Sequence, residues 1–221
     1  MRFIVLLSGG MDSTTALAWA ATQGDVVECV SVDYGQRHRR ELASAEQVAA
    51  HYGVPLRVLD LSSFAAALGG NALTDASVDV PEGHYADESM RATVVPNRNA
   101  TFLMAAAGVA AAVGADAVVT AVHAGDHPVY PDCRPEFIAA ADEAARLGTG
   151  GAVRVLAPFV NDSKTDVARI GADLDAPLHL SWSCYNGRDR HCGRCGTCVE
   201  RAEAFRDAGL TDPTEYEETT E

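Results

Sequence analysis

The sequence predicts an α/β fold, a Rossmann-like doubly wound parallel sheet followed by a cysteine-rich C-terminal segment. Three observations support this class. Short apolar runs alternate with helical patterns, a glycine-rich polar turn separates the first run from the first helix, and four cysteines crowd near the end of the chain. The chain has 221 residues, 48% hydrophobic and 22% charged, so it can bury a core and is too apolar to be disordered.

The first 60 residues alternate between strand and helix. Residues 3–7 form a continuous apolar run ahead of two glycines, which is typical of a strand buried on both faces. Apolar spacing then predicts a helix over 12–22, a strand over 26–32, a helix over 38–52 and a strand over 56–59. This β-α-β-α-β order requires parallel strands joined by right-handed crossovers.

The rest of the chain continues the pattern after one interruption. Residues 69–97 are rich in glycine, proline and polar side chains, and we interpret them as a long functional loop or lid. Helices are predicted over 99–113, 135–147 and 163–172, and strands over 117–122 and 153–156. The predicted division is an α/β domain over 1–180, a metal-binding segment over 181–210 and a frayed acidic tail over 211–221.

Charge and hydropathy exclude several classes of partner. Lys and Arg number 17 against 31 Asp and Glu, and a net charge of −14 argues against nucleic acid or an anionic membrane as partner. The longest uncharged stretch, residues 99–115, is too short and too rich in alanine to span a bilayer. The apolar run near the N-terminus is too short for a signal peptide. We therefore expect a cytoplasmic protein whose cysteines are metal ligands or free thiols.

The turn after the first predicted strand is the first candidate site. It lies at the carboxyl end of a strand, where open α/β sheets bind ligands, and its glycines, hydroxyls and first-turn N–H groups suit phosphate. It matches neither the Walker A pattern nor the dinucleotide fingerprint. The alternative is a plain turn capped by Asp12 or Ser13. The candidate residues are Leu7, Ser8, Gly9, Gly10, Met11, Asp12, Ser13, Thr14 and Thr15.

Three cations extend this predicted anion site. Arg37 follows the second predicted strand and Arg98 opens a predicted helix, so both belong to the ligand edge of the sheet. Lys164 starts another predicted helix and is the single lysine in the chain. The alternatives are a solvated arginine behind an asparagine cap at Arg98 and chance at Lys164.

Four cysteines form the second candidate site. Cys184, Cys192, Cys195 and Cys198 follow the pattern C-x7-C-x2-C-x2-C, and four thiolates suit a closed tetrahedral zinc site. A site with every position filled is structural rather than catalytic. Free thiols and an iron–sulfur cluster remain the alternatives.

The motif S-G-G-M-D-S at residues 8–13 resembles the pyrophosphate-binding loop of the N-type ATP pyrophosphatase (PP-loop) superfamily. Within it the chain resembles the 7-cyano-7-deazaguanine synthase family, the nitrile-forming ligases of queuosine and archaeosine biosynthesis. The resemblance runs nearly end to end and rests on residues 31–38, 95–99, 130–137 and 181–198.

This resemblance implies an enzyme that cleaves ATP to AMP and pyrophosphate with Mg²⁺, using a deazapurine acid and ammonia, as a homodimer. It implies catalytic roles for Asp12, Ser13, Lys164 and Arg37, and ATP binding by the loop and Arg98. The residues that we expect to contact the deazaguanine base or its surroundings are Tyr130, Asp132, Arg134 and Glu136. At residues 123–129 the chain reads H-A-G-D-H-P-V where that family usually has N-A-E-D-Y-S-G.

Two rival functions remain open at this point. A tRNA thiolase of the same superfamily would also bind ATP, but it should carry a basic RNA-binding face and an open, reactive cysteine pair. A nucleotide sensor fused to a nucleic-acid-binding zinc knuckle would be no enzyme, and it would have no use for arginines at two edges of an ATP site.

Overall fold

A computed structural model describes residues 1–68, 71–75, 77–84, 88–187 and 189–217. In these residues five strands form one parallel sheet of order β3-β2-β1-β4-β5, which confirms the predicted fold class. The strands are β1 (Arg2–Leu6), β2 (Asp25–Asp33), β3 (Leu56–Asp60), β4 (Ala117–Val119) and β5 (Arg154–Leu156). β4 is shorter than the predicted strand over 117–122, because its carboxyl end opens into the ligand edge.

The helices cover both faces of this sheet. They are α1 (Met11–Gln23), α2 (Arg40–His51), α3 (Ser62–Leu68), α4 (Arg98–Val113), α5 (Pro135–Gly148), α6 (Lys164–Asp173) and α7 (Gly196–Ala208). Local signals set several of their ends. Ser163 and Asp166 form a capping box that starts α6, and Gly114 ends α4 in the left-handed region that glycine favours.

The strand β1 lies at the centre of two cores. Phe3 and Val5 belong to the core shared with α1 and α2, whereas Ile4 belongs to the core shared with α4 and α5. Alternate residues of a strand point to opposite faces, so an apolar residue is needed at every position. This is the physical reason why residues 3–7 read as an unbroken apolar run.

The described part of the predicted loop over 69–97 packs against the cysteine-rich segment. Glu82 forms an isolated antiparallel bridge with Cys195, and the Gly83 N–H donates to the Arg194 carbonyl at 3.1 Å. A short 3-10 helix, Glu88–Thr93, precedes α4. Residues 69, 70, 76 and 85–87 lie outside the described residues, and a lid function for this loop stays a prediction.

The C-terminal segment is packed onto the α/β core. Ala204 and Phe205 of α7 share a buried cluster with Met11 of α1 and Ala168 of α6. No described helix has both the length and the apolar character that crossing a membrane requires.

The expectation of a frayed tail is wrong for residues 212–217. Arg201 of α7 is 1% exposed, and its Nε donates to Asp212 Oδ1 at 3.1 Å. The Tyr216 hydroxyl donates to Asp212 Oδ2 at 2.6 Å, and Tyr216 bridges His191 through the backbone. A buried guanidinium requires a carboxylate, and this segment supplies it.

Candidate active site

An open cleft with a volume of about 240 Å³ lies at the carboxyl edge of the sheet. It is lined by the turn between β1 and α1, by the ends of β2 and β4, by the start of α4, and by residues of α6, α7 and the cysteine-rich segment. This is the position where parallel α/β sheets bind ligands.

The turn between β1 and α1 is shaped by one glycine. Gly9 has a φ of +90°, and a Cβ at this position would lie 2.1 Å from the carbonyl oxygen of Glu41 in α2. The turn is further held by the Trp182 N–H, which donates to the Gly9 carbonyl at 2.8 Å. Only glycine allows this close approach of backbone to backbone.

The first turn of α1 faces the cleft without a side-chain cap. Its N-cap residue is Gly10, and the Ser13 and Thr14 hydroxyls donate backwards to the Gly10 carbonyl at 3.1 and 2.9 Å. Neither Asp12 nor Ser13 caps the helix, so the plain capped turn is not what forms. Uncapped N–H groups and the positive end of a helix dipole suit a bound anion, so this turn could hold one.

The predicted loop residues divide between the cleft and the core behind it. Leu7, Ser8, Gly10, Met11, Asp12 and Ser13 line the cleft. Gly9, Thr14 and Thr15 do not line it. Thr14 is committed to the Gly10 carbonyl, and Thr15 is buried where a Cβ on Gly171 would meet its hydroxyl at 2.6 Å.

Lys164 joins the loop to the C-terminal segment. Its Nζ donates to Asp12 Oδ2 at 2.6 Å and lies 3.4 Å from Glu200 Oε2 on α7. His123, after β4, accepts the Gly125 N–H on Nδ1, so its Nε2 carries the proton. That Nε2 lies 3.6 Å from Asp126 Oδ2, 3.9 Å from Asp12 Oδ2 and 3.4 Å from Lys164 Nζ.

The charged groups of this cluster shift one another's pKa values. Burial alone would lower the pKa of Lys164, but Asp12, Glu200 and Asp126 outweigh burial and raise it, so the ammonium stays charged. Burial would raise the pKa of Asp12, yet Lys164 and His123 hold it below its usual range. Burial raises the pKa of Glu200 despite the nearby ammonium. Asp12 is therefore ionised at neutral pH.

Asp12 also has a free oxygen. Its Oδ1 is buried and has no hydrogen-bond partner among the described residues. A buried carboxylate oxygen without a donor is costly unless a cation or a ligand donor meets it. Carboxylate oxygens are the protein ligands that Mg²⁺ prefers, so this atom fits the divalent cation that accompanies ATP.

Aromatic rings surround Arg98 in another part of the cleft. The guanidinium carbon of Arg98 lies 5.9 Å from the Tyr34 ring centre and 5.7 Å from the Tyr130 ring centre. Tyr185, from the cysteine-rich segment, lines the same cleft. We call Tyr34, Tyr130 and Tyr185 the aromatic cage. A guanidinium close to tyrosine rings is stabilised by the ring quadrupoles.

Several predicted site residues lie elsewhere. Arg37 donates from Nη1 to the carbonyls of Val78 at 2.6 Å and Ala72 at 3.4 Å, so it holds the loop before α4 and does not line the cleft. Asp132 Oδ2 accepts the Asn99 N–H at 2.8 Å and so caps α4.

The other two lie on the same side of the sheet edge, outside the cleft lining. Arg134 Nε donates to the His127 carbonyl at 3.0 Å. Glu136 is exposed in the first turn of α5. Of the four residues expected around the base, Tyr130 alone lines the cleft.

Sequence reasoning missed Tyr34, Glu200 and His123. Tyr34 directly follows β2, so its place at the strand end was a usable signal. Glu200 lies on α7, whose apolar pattern is weak, and nothing local links it to Lys164. His123 follows β4 at the position where the family usually has asparagine.

The four cysteines form one buried cluster. The sulfur atoms of Cys184, Cys192, Cys195 and Cys198 all lie within 4.8 Å of one another, and none is in a disulfide. The Cys195 N–H donates to Cys192 Sγ at 3.3 Å, and the Arg194 N–H to the same sulfur at 3.4 Å. Backbone donors of this kind stabilise thiolates, so the cluster could hold a metal ion with four sulfur ligands.

Fold and site together define an ATP-dependent α/β enzyme of the PP-loop type, with the glycine-rich turn at the end of the central strand. The chain belongs to the family described as queuosine biosynthesis protein QueC, whose family model matches residues 2–209. It is 51% identical over 220 residues to the 7-cyano-7-deazaguanine synthase of Brucella canis, covering 99% of this chain and 94% of that protein.

A relative of the same name from Allorhizobium ampelinum is 52% identical, with 99% of this chain and 93% of that protein covered. Two solved structures share the fold. NMN synthetase from Francisella tularensis gives a TM-score of 0.50 at 16% identity, over 95% of this chain and 77% of that one. A predicted subunit of tRNA methyltransferase from Methanocaldococcus jannaschii gives 0.52 at 12% identity, over 100% and 94%.

Proposed function

We propose that the protein converts 7-carboxy-7-deazaguanine and ammonia to 7-cyano-7-deazaguanine and cleaves two ATP to AMP and pyrophosphate. Membership of the queuosine biosynthesis family and the shared name of its relatives support this reaction. The observation that carries it is one cleft that contains an uncapped helix N-terminus, a lysine–carboxylate cluster and a caged arginine.

The chemistry proceeds in two activations. The substrate carboxylate attacks the α-phosphorus of ATP, pyrophosphate leaves, and an acyl-adenylate forms. Ammonia displaces AMP to give the amide and releases a proton. The amide oxygen then attacks the α-phosphorus of a second ATP, and pyrophosphate leaves. Loss of AMP and the two amide protons gives the nitrile. No side chain has to act as a nucleophile, so catalysis is positioning and charge stabilisation.

The proposed roles follow from this need. The first turn of α1 and Ser13 bind the departing pyrophosphate. Lys164 stabilises the negative charge that develops on the phosphates, because it is the cation of the cleft that lies beside the loop. Asp12 would hold Mg²⁺ through its free Oδ1, and the bound ion would neutralise phosphate charge.

The remaining proposals concern the state of the protein. A structural Zn²⁺ in the four-cysteine cluster is supported by the buried sulfur atoms and their N–H donors. A cytoplasmic location is supported by six free cysteines, which a reducing compartment preserves. The homodimer rests on the family resemblance alone, and light scattering of the purified protein tests it.

The test measures AMP, pyrophosphate and nitrile with the acid, ammonia and MgATP, in the presence and absence of tRNA. We expect two AMP per nitrile and no effect of tRNA. AMP formation that requires tRNA would favour a thiolase instead, and no turnover with the acid would overturn the proposal. Asp207→Asn, an exposed change on α7, serves as the control protein and should keep full activity.

A further inference from the structure

We propose that Arg98 binds the carboxylate of the planar acid substrate, and that the aromatic cage of Tyr34, Tyr130 and Tyr185 provides the flat apolar surface for its ring. This assignment rests on the proposed function and deepens it. It replaces the expected role of Arg98 in binding ATP. Arg37, the other arginine expected at the anion site, is bound to loop carbonyls outside the cleft lining.

The backbone directs Arg98 into the cleft. Asn97 has a φ of +56° and α4 begins at the next residue, so the chain turns sharply and places Arg98 in the first turn. Asparagine tolerates this left-handed conformation better than most residues. A cation in the first turn of a helix opposes the helix dipole, so the position carries a cost that a bound anion would remove.

The cage fixes the guanidinium without neutralising it. Burial raises the pKa of the Tyr34 phenol, which therefore stays uncharged. The Thr93 hydroxyl donates to the Met90 carbonyl at 2.7 Å, so the Tyr130 hydroxyl donates its own proton to Thr93 at 2.6 Å. The ring of Tyr130 is held in place by this bond.

Arg98 has no acidic partner in the described part of the chain. No carboxylate oxygen there lies within 4.0 Å of its guanidinium, whereas Arg201 and Arg154 each bind an aspartate. A partly buried cation in a cleft without a counter-ion is suited to an anionic ligand. A planar guanidinium matches a carboxylate through two parallel N–H···O bonds.

This geometry predicts how the acid and the amide intermediate differ. A hydrogen bond between charged groups contributes more than one to a neutral oxygen. Arg98 therefore binds the acid strongly at the first activation and the amide oxygen more weakly at the second. The same contact orients the attacking oxygen toward ATP in both steps.

The test compares Arg98→Met and Arg98→Lys with the unchanged protein, using the acid and the amide as separate substrates. For Arg98→Met we expect KM for the acid to rise roughly 10- to 150-fold and KM for the amide to rise less than tenfold, with KM for ATP unchanged. The KM of Arg98→Lys for the acid should lie between those of Arg98→Met and the unchanged protein. Arg146→Met, an exposed arginine on α5 paired with Glu143, is the matched control and should leave all three values unchanged.

A measurement on the unchanged protein does not depend on how the variants fold. As a competitive inhibitor, 7-deazaguanine lacks the carboxylate and should bind roughly 10- to 150-fold more weakly than the acid. Equal binding of both compounds, or an unchanged KM for the acid in Arg98→Met, would overturn the assignment while turnover by the unchanged protein upholds the proposed function. No turnover of the acid by the unchanged protein would overturn both.

Discussion

At the residue scale, Lys164 stands out because every other cation in the chain is arginine or histidine. Its side chain is 16% exposed, and its ammonium lies within 3.4 Å of carboxylates from α1 and α7. A compact ammonium can donate in three directions from one atom, whereas a planar guanidinium is larger and less adaptable. The composition of the chain disfavours lysine, and a lysine at this one position suits contacts with two carboxylates.

The first prediction concerns the cluster around this lysine. Asp12→Asn, Ser13→Ala and Lys164→Arg should each slow both activations, by roughly 10²–10³ where a transition-state contact is lost. The amide intermediate is the probe, because it enters after the first activation. Supplying it should not restore the rate of nitrile formation if one site performs both steps. Rescue by the amide would mean that the loop serves the first activation alone.

A second prediction at this scale concerns Asp212. Burial would raise its pKa, but Arg201 and the hydrogen bonds from Tyr216 and Thr214 hold it below the usual range. Asp212→Asn leaves a buried guanidinium unpaired and should cost about 3 kcal/mol in the free energy of unfolding at pH 7. Asp207→Asn, in an exposed pair with Arg206, should cost less than about 1 kcal/mol.

The stability lost in Asp212→Asn should depend on pH in a definite direction. A carboxyl whose pKa is lowered by folding stabilises the folded protein fully when the pH is above its pKa in the unfolded chain, near 3.9. This stabilisation is lost as the pH falls through the pKa of the carboxyl in the folded protein. The difference between Asp212→Asn and the unchanged protein in urea unfolding should therefore be largest at neutral pH and shrink below about pH 4. A difference that is constant with pH would show that the ion pair is not its source.

At the scale of elements, α7 connects the cysteine cluster to the cleft. The helix begins at Gly196, between two of the four cysteines, and carries Glu200 on the side of Lys164. It also carries Arg201, which binds the tail. The cluster therefore fixes the start of a helix that supplies one charge to the site and one to the C-terminal packing.

The third prediction follows from this connection. Cys195→Ser removes one of four ligands, so the purified protein should contain less than one zinc per chain and unfold at a lower temperature. The loss of stability should precede any change in turnover at low temperature. Cys29→Ala, a cysteine of β2 outside the cluster, should keep one zinc per chain. Full stability and activity of the metal-free protein would contradict a structural metal.

Most elements could be predicted from the sequence, because the sheet is buried on both faces and each helix packs one of its faces against the sheet. The starts of α5 and β3 coincide with their predictions, since proline and apolar runs mark them. α3 and α7 were missed. α7 buries Arg201 and Cys198 toward the protein, so its inner face does not read as apolar.

The candidate site likewise has parts that could be predicted from the sequence and parts that could not. The candidate phosphate loop is contiguous, so strand-end glycines and hydroxyls predict it without a structure. Arg37 and Glu136 do not line the cleft, because sequence position does not give the direction of a side chain. Glu200 reaches Lys164 from the far end of the chain, and no local pattern encodes a contact of that range.

At the scale of the whole molecule, an N-terminal turn and a C-terminal segment meet at the cleft. The turn after β1 lies at one side, and residues 182–200 return to it after the last strand. The Trp182 N–H bonds to the carbonyl of Gly9, so the N-terminal loop and the C-terminal segment are fixed to each other directly. The division into parts at 180 and 210 stays a prediction, and these contacts imply that the parts unfold together.

The last prediction tests how much of the C-terminus belongs to this unit. Among the described residues, removal of 217–221 takes away Glu217, whose contacts include a backbone bond to His191 and a partly exposed ion pair with Arg194. Turnover and the unfolding temperature should stay near those of the full chain. Removal of residues 211–221 takes Asp212 and Tyr216 as well, leaves Arg201 buried without its carboxylate, and should lower the stability by about 3 kcal/mol or more. Thermal unfolding and AMP formation on the two truncated proteins separate these outcomes.

Equal stability of both would mean that the contacts of Asp212 do not hold α7. A large loss of turnover from the shorter truncation would instead place the final residues over the cleft or across a dimer interface.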